Sequence, residues 1–267
     1  MPHPTWQEAT VTVAGTAVHF YCGGEGPPLL LLHSGEGNPG WLMHHTAFAE
    51  HFRVYAPTHP GFGRFPLPDW IASVNDLAVF YLWMLDVLGL DRLHLLGHGM
   101  GGWLAAEMAT MCPHVVDRLV LVDAAGLKPQ HSTILDLFLL TPPEVHAATF
   151  HDPQQVPEWQ RLYGHAPTPD DIDRQEAALE TMVRLCWKPY MHNPRLPFLL
   201  PRLTCPTLIV WGRHDAIMPL ECGEMYQHAI ADARLETLDA CGHCPPLEQP
   251  QAFVEVVRSF LRADTRP

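Results

Sequence analysis

The sequence predicts an α/β fold: a mostly parallel sheet of eight strands, with a helical insertion after the sixth. Three observations predict it. Short, continuous apolar runs, the mark of strands buried on both faces, alternate with stretches of helical periodicity. That alternation stops between about Leu127 and Leu203, where no strand-like run occurs, and then resumes. The chain has 267 residues, of which 47% are hydrophobic. That suits one large α/β domain, or a domain of about 200 residues carrying an insertion.

The elements follow in order. Residues 8–21 alternate apolar and polar, which predicts a hairpin turning near Gly15. Pro28 to His33 (P-L-L-L-L-H) reads as a buried strand running into a Gly-rich loop. Gly40 to His51 is expected to be helical, and Phe52 to Pro57 a buried strand before the turn-rich H-P-G-F-G-R. Ser73 can cap a helix over 73–88 that Gly89 ends. Leu93 to Leu96 is a strand, Met100 to Met111 a helix and Leu119 to Val122 a strand. The insertion contains helical patches at Ile134–Leu140 and Asp171–Trp187, separated by prolines. Beyond it come a strand at Thr207–Trp211, a helix at Leu220–Ile230, a strand at Arg234–Leu238 and a helix at Gln251–Arg262. The expected division is a core of 1–126 and 204–267 with a helical cap of 127–203. An insertion at this point most simply covers the carboxyl edge of the sheet, where open α/β sheets bind ligands.

Composition narrows the function. Sixteen Lys and Arg stand against 29 Asp and Glu, a formal net charge of −13, which repels phosphate backbones and argues against nucleic acid as a partner. The longest apolar run, Leu77 to Leu90, contains Asp86 and is shorter than a membrane span, so no membrane partner is expected. The N-terminus lacks a basic segment followed by an apolar one, and seven cysteines are too few and uneven for a disulfide scaffold. Together these point to the cytoplasm. The expected partner is a small-molecule substrate; a homodimer stays open.

The most informative stretch is L-H-L-L-G-H-G-M-G-G-W-L-A-A-E, Leu93 to Glu107: a strand, a tight glycine turn and a helix. It resembles the nucleophile elbow G-x-S-x-G of the α/β-hydrolase family, with one departure. The nucleophile position holds Gly99. Three further motifs, in the family's chain order, extend the resemblance over essentially the whole chain. H-S-G-E-G (33–37) is similar to the oxyanion loop, W-G-R-H-D-A-I-M-P (211–219) to the turn presenting the catalytic acid, and C-G-H-C-P-P-L-E-Q-P (241–250) to the catalytic histidine loop. The resemblance implies an α/β-hydrolase fold and a catalytic set of Gly99, Asp215 and His243. It also implies an oxyanion and substrate-binding set of Ser34, Gly35 and Met100, with no metal and no cofactor. His243 would be the base, Asp215 its orienting acid, and the N–H groups of Met100 and Gly35 the oxyanion donors. Asp123, after the preceding strand, is the rival acid. Glu36 is either a solvated loop charge or a proton-transfer group.

Other residues receive blander readings. His98 is expected to pack under the elbow, and His44 and His45 to lie at the surface or the pocket edge. C-G-H-C is a weak zinc or redox signal, because it has no second pair at ligand spacing. Two or three of Met100, Trp103, Phe138, Trp159, Trp187, Tyr190 and Met218 are expected to line an apolar acyl pocket. Gly97, Gly99 and Gly102 match a dinucleotide fingerprint by spacing, but Asp215 and His243 in their late contexts decide against it. Haloalkane dehalogenases and epoxide hydrolases carry an aspartate at the elbow, which this chain lacks.

Glycine can adopt the strained elbow backbone, but it has no hydroxyl to attack an acyl carbon. Three functional readings therefore stay open. The chain is a serine-hydrolase type acting on a small apolar ester, lactone or related acyl compound, with its nucleophile removed and its activity nearly abolished. Or it is a cofactor-free lyase or C–C hydrolase that uses His243 and Asp215 without a covalent step. Or it is a ligand-binding pseudoenzyme.

Overall fold

The computed structural model describes residues 5–263. Its single sheet has eight strands: β1 (Trp6–Val13), β2 (Thr16–Gly23), β3 (Pro28–Leu32), β4 (Arg53–Pro57), β5 (Leu93–His98), β6 (Val116–Val122), β7 (Thr207–Gly212) and β8 (Ala233–Leu238). They lie in the order β1-β2-β4-β3-β5-β6-β7-β8. β1 pairs with β2 and β2 with β4 antiparallel; every later pairing is parallel. The hairpin turns at Ala14–Gly15, where both residues have positive φ.

The core explains why the central strands read as unbroken apolar runs. Leu30, Leu32, Leu95, Leu119, Leu121, Ile209 and Trp211 face one side of the sheet. Leu29, Leu31, Leu96, Val120, Val122, Leu208 and Val210 face the other. The period-2 alternation persists, but both faces are covered, so few polar residues mark it. On the first side lie α2 (Val74–Leu88), α3 (Met100–Met111) and α8 (Leu220–Ala229); on the second, α1 (Met43–Ala49) and α10 (Pro250–Leu261). Ser73 caps α2 by accepting the Asp76 N–H, and Gly89 closes it in the left-handed conformation at φ 67°, as the sequence predicts.

Between β6 and β7 the chain forms α4 (Pro142–Thr149), α5 (Trp159–Tyr163), α6 (Pro169–Cys186) and α7 (Leu196–Leu199). The helix expected over Ile134–Leu140 shrinks to one 3₁₀ turn at Leu137–Leu139. Its backbone is recruited elsewhere: Leu135 N–H donates to the Ile217 carbonyl, and the Tyr190 hydroxyl donates to Leu135 O while accepting from Leu137 N–H. Helix α6 begins with a capping box, Thr168 against Asp171, which holds the Asp171 carboxyl down at about 2. The insertion is anchored at its far end by Glu107 of α3, which is fully buried and accepts from Asn75, Trp103 and, from the insertion, Asn193. Three donors on one buried carboxylate satisfy it without a cation.

Candidate active site

The site forms where β3, β5, β6, β7 and β8 end. The β5–α3 turn is tight because two glycines allow backbone to touch backbone. A Cβ on Gly97 would fall on the carbonyl of Gly101, and one on Gly101 would fall on the carbonyls of Leu32 and His33. Between them Gly99 takes φ 56° and ψ −118°. Glycine adopts this with little strain; another residue there pays about 1–3 kcal/mol.

A Cβ at position 99 would lie 3.3 Å from His243 Nε2 and 3.1 Å from the Ser34 Cβ. The elbow residue, the histidine loop and the loop after β3 thus converge on one point. His243 Nδ1 donates to Asp215 Oδ2 at 2.7 Å, and Asp215 Oδ1 accepts from the N–H groups of Ile217 and Met218 at 2.8 and 2.9 Å. This fixes the neutral tautomer with Nε2 free, facing position 99. Burial opposes a charged ring at 243. Asp215, and more weakly Glu36 and Glu248, outweigh it and lift the imidazole above its ordinary pKa of 6.5.

The acid turn and the histidine loop are pinned together. Gly212 lies directly against the backbone of Gly242, His214 N–H donates to Cys241 O, and Arg213 N–H donates to Leu238 O. Glu248 of α9 (Pro245–Glu248) accepts the N–H groups of Gly242 and Cys244 on one oxygen and that of His151, from the insertion, on the other.

Ser34 and Gly35 sit beside the elbow. The N–H groups of Gly35 and Met100 find no acceptor among the described residues, and Met100 opens α3, where the helix dipole favours an anion. Glu36 N–H donates to Ser34 Oγ at 3.4 Å. His33 and His59 support the loop from below. His33 Nδ1–H donates to Ser34 O, its Nε2 accepts the His59 N–H, and His59 in turn meets the Tyr81 hydroxyl. Burial keeps both rings neutral.

Residues between β6 and β7 contact these groups. Met182 of α6 packs on Gly35, and Thr181 donates to Gly61 O. Thr149, the last residue of α4, donates its hydroxyl to Glu36 and accepts the His243 N–H on its carbonyl at 2.7 Å. Glu36, read from sequence as solvated or proton-transferring, is therefore an exposed charge tied to the insertion. Sequence reasoning missed Thr149 and Glu248; both act across more than 90 residues or from the far side of a loop, and no local pattern marks them.

One expectation needs correction: His44 and His45, read as surface or pocket-edge residues, are buried rather than at the surface. The His44 ring packs edge-on against Phe253, and His45 Nδ1 accepts the Leu42 N–H at the start of α1. The His44/Phe48 spacing of four residues was the available signal. His98 does pack beneath the elbow, donating to the His243 carbonyl at 2.6 Å. Of the proposed pocket aromatics, Phe138, Trp187 and Tyr190 form one cluster on the insertion, whereas Trp103 is taken up by Glu107.

Asp123, Asp215 and His243 place their donor atoms within 4.8 Å of one another. His243 and Asp215 bond each other, and Asp215 and one oxygen of Asp123 accept backbone N–H groups, while Asp123 Oδ2 has no partner among the described residues. Cys241 and Cys244 are buried, and burial pushes both thiols up, away from the thiolate that zinc or redox chemistry needs.

This order of strands, with an elbow after β5, a carboxylate after β7 and a histidine after β8, defines an α/β enzyme scaffold of the hydrolase type. The chain belongs to the alpha/beta hydrolase family, whose model matches residues 29–256. It is 28% identical to a 2-hydroxy-6-oxo-2,4-heptadienoate hydrolase of Pseudomonas putida, over 95% of this chain and 96% of that one. It is 29% identical to an uncharacterized protein of Mycobacterium tuberculosis, over 94% and 80%. Among solved structures, a 2-hydroxy-6-oxo-6-phenylhexa-2,4-dienoate hydrolase from a Rhodococcus strain superposes with a TM-score of 0.80 at 24% identity, covering 97% of this chain and all of that one; this likeness concerns the fold. Among the described residues no helix is long and apolar enough to cross a membrane.

Proposed function

We propose that the chain carries a serine-hydrolase-type site for a small, neutral, fairly apolar ester, lactone or related acyl compound, without a nucleophile at position 99. His243 is the base, Asp215 orients it, and the Met100 and Gly35 N–H groups receive the developing oxyanion, with Ser34 beside them. The segment 127–203 acts as a cap that excludes water. The observation that carries this reading is the free Nε2 of His243, 3.3 Å from where a side chain at 99 would begin. With glycine there, Nε2 has no hydroxyl to activate, and ester turnover is nearly abolished.

The Pseudomonas putida match favours a second reading, cleavage of a C–C bond beside a carbonyl. The substrate its name prints is a carboxylate. Here the site contains Glu36, and Cys244 follows the histidine, where an aromatic is usual in the C–C hydrolases that the sequence resembles. A negative loop charge disfavours an anionic substrate.

The test is a substrate panel on a Gly99→Ser variant. Neutral aryl esters or lactones should turn over at least tenfold faster than a 2-hydroxy-6-oxo-dienoate; the reverse order would replace this reading by the second. The pH profile is also fixed. His243 must be neutral to accept a proton, and its pKa is raised, so activity should fall as pH drops, with a midpoint above 6.5. A midpoint below 6 would mean that Asp215 does not support the ring.

A further inference from the structure

The carboxyl group of Asp123 has no part in the scheme above, yet it lies in the same buried cluster. Asp123 follows β6 as Asp215 follows β7, and these strands are neighbours. It is fully buried and holds φ 42°, a conformation that side-chain-bearing residues adopt only under constraint. Its backbone N–H donates to Val210 O, and its Oδ1 accepts the Gly212 N–H at 2.9 Å. Its other oxygen, Oδ2, is buried without a partner. The donor atoms of Asp123, Asp215 and His243 lie within 4.8 Å of one another.

The two carboxyl groups are unequally supplied. Asp215 has three donors: two backbone N–H groups and the His243 ring. Asp123 has one. Two anions this close, both side chains buried, are unfavourable, so one of the two holds a proton. The better-solvated carboxylate keeps the charge and the poorer one the proton. Oδ1 of Asp123 already accepts, which puts the proton on Oδ2. The proton turns an orphaned buried acceptor into a donor and gives it a partner in Asp215.

Resting on the reading of His243 as the site's base, we infer that Asp123 is a second acid of the site: a neutral carboxyl whose Oδ2–H donates to Asp215, and which supplies the negative charge beside His243 when Asp215 is neutralised. Asp123 is a positioning residue; it touches neither substrate nor position 99. Burial and the Asp215 charge, with Glu248 adding to them, push its carboxyl well above the usual range, as this arrangement requires. The other titratable groups around His243 are Glu36, Glu248, His98, Cys241 and Cys244; Glu36 and Glu248 support its charge, and the His98 ring is neutral.

The test reads the His243 ring by NMR titration, with no need for activity, so it stands apart from any failure of the substrate assignment. Asparagine at 123 reproduces a protonated aspartate: its amide oxygen accepts from Gly212, and its NH₂ donates to Asp215. Asp123→Asn should therefore move the His243 pKa by less than about 0.3 unit, whereas loss of an ionised neighbour this close would lower it by about a unit or more. Asp215→Asn should free Asp123 to ionise and leave His243 near or above 6.5. Adding Asp123→Asn to it should drop the ring by about a unit or more. A fall of a unit in Asp123→Asn alone overturns the inference, as does an Asp215→Asn value equal to that of the double variant. If Asp215→Asn does not fold, the isosteric Asp123→Asn decides by itself.

Discussion

Introducing serine at position 99 should raise turnover of an activated neutral aryl ester by about 10³-fold or more over the parent chain, with a burst of released alcohol. On the proposed reading the rest of the machinery is present: a free Nε2 beside the position, an orienting carboxylate, and the Gly35 and Met100 N–H groups, which have no acceptor among the described residues. Loss of the serine costs a working serine hydrolase roughly 10⁶ in kcat, which sets the ceiling on the gain. The gain should fall short of that ceiling. A Cβ at 99 would sit only 3.1 Å from the Ser34 Cβ, closer than side chains normally pack, so the loop after β3 must yield slightly. The same substitution should lower stability. At φ 56° a side chain costs about 1–3 kcal/mol, a fall in Tm of several degrees for a chain of this length. Activity and stability are therefore expected to move in opposite directions in one variant. Stopped-flow ester hydrolysis and a thermal melt read both. No gain in a folded Gly99→Ser protein would remove the ester-hydrolase reading.

The second large effect concerns the elbow glycines beside it. Gly97→Ala should cost at least about 3 kcal/mol, enough to leave much of the protein insoluble, because the new methyl would overlap the Gly101 backbone and approach Gly102 N to 2.7 Å. Backbone atoms in a strand–turn–helix cannot swing aside as a flexible side-chain end can. Gly89→Ala is the control. It meets nothing within 4 Å, and only its φ of 67° is at issue, so about 1 kcal/mol is expected. Urea melts of the two variants separate steric exclusion from backbone strain. If Gly97→Ala melts no lower than Gly89→Ala, the tight contact of β5 against α3 is not what holds the elbow.

Much of this was legible in the sequence, for specific reasons. The apolar runs of β3, β5, β6 and β7 are unmistakable because both sheet faces are covered. Ser73 and Gly89 bound α2 through local capping chemistry that no distant residue overrides. Gly97, Gly99 and Gly101 mark the elbow because backbone closeness and positive φ have glycine as their cheapest solution. Legibility failed where a contact is long-range. Leu135 and Leu137 lose their helix because Ile217 and Tyr190 claim their backbone groups, and neither is near them in sequence. His44 and His45 read as surface or pocket-edge residues; His44 is instead buried against Phe253, more than 200 residues on. The Thr149 link between Glu36 and His243, and the Glu248 clamp on the histidine loop, depend on how the insertion folds back. Asp123 lies between these cases. Its place after β6, beside the strand that presents Asp215, is visible in the sequence, but its unpartnered Oδ2 is not.

The most direct test is covalent labelling with a fluorophosphonate, followed by intact mass and peptide mapping of the parent and Gly99→Ser proteins side by side. The account predicts no adduct on the parent and a single adduct at residue 99 of the variant, abolished by a further His243→Ala change. An adduct on the parent at any residue of the site, or a folded Gly99→Ser protein that stays unlabelled, would contradict it.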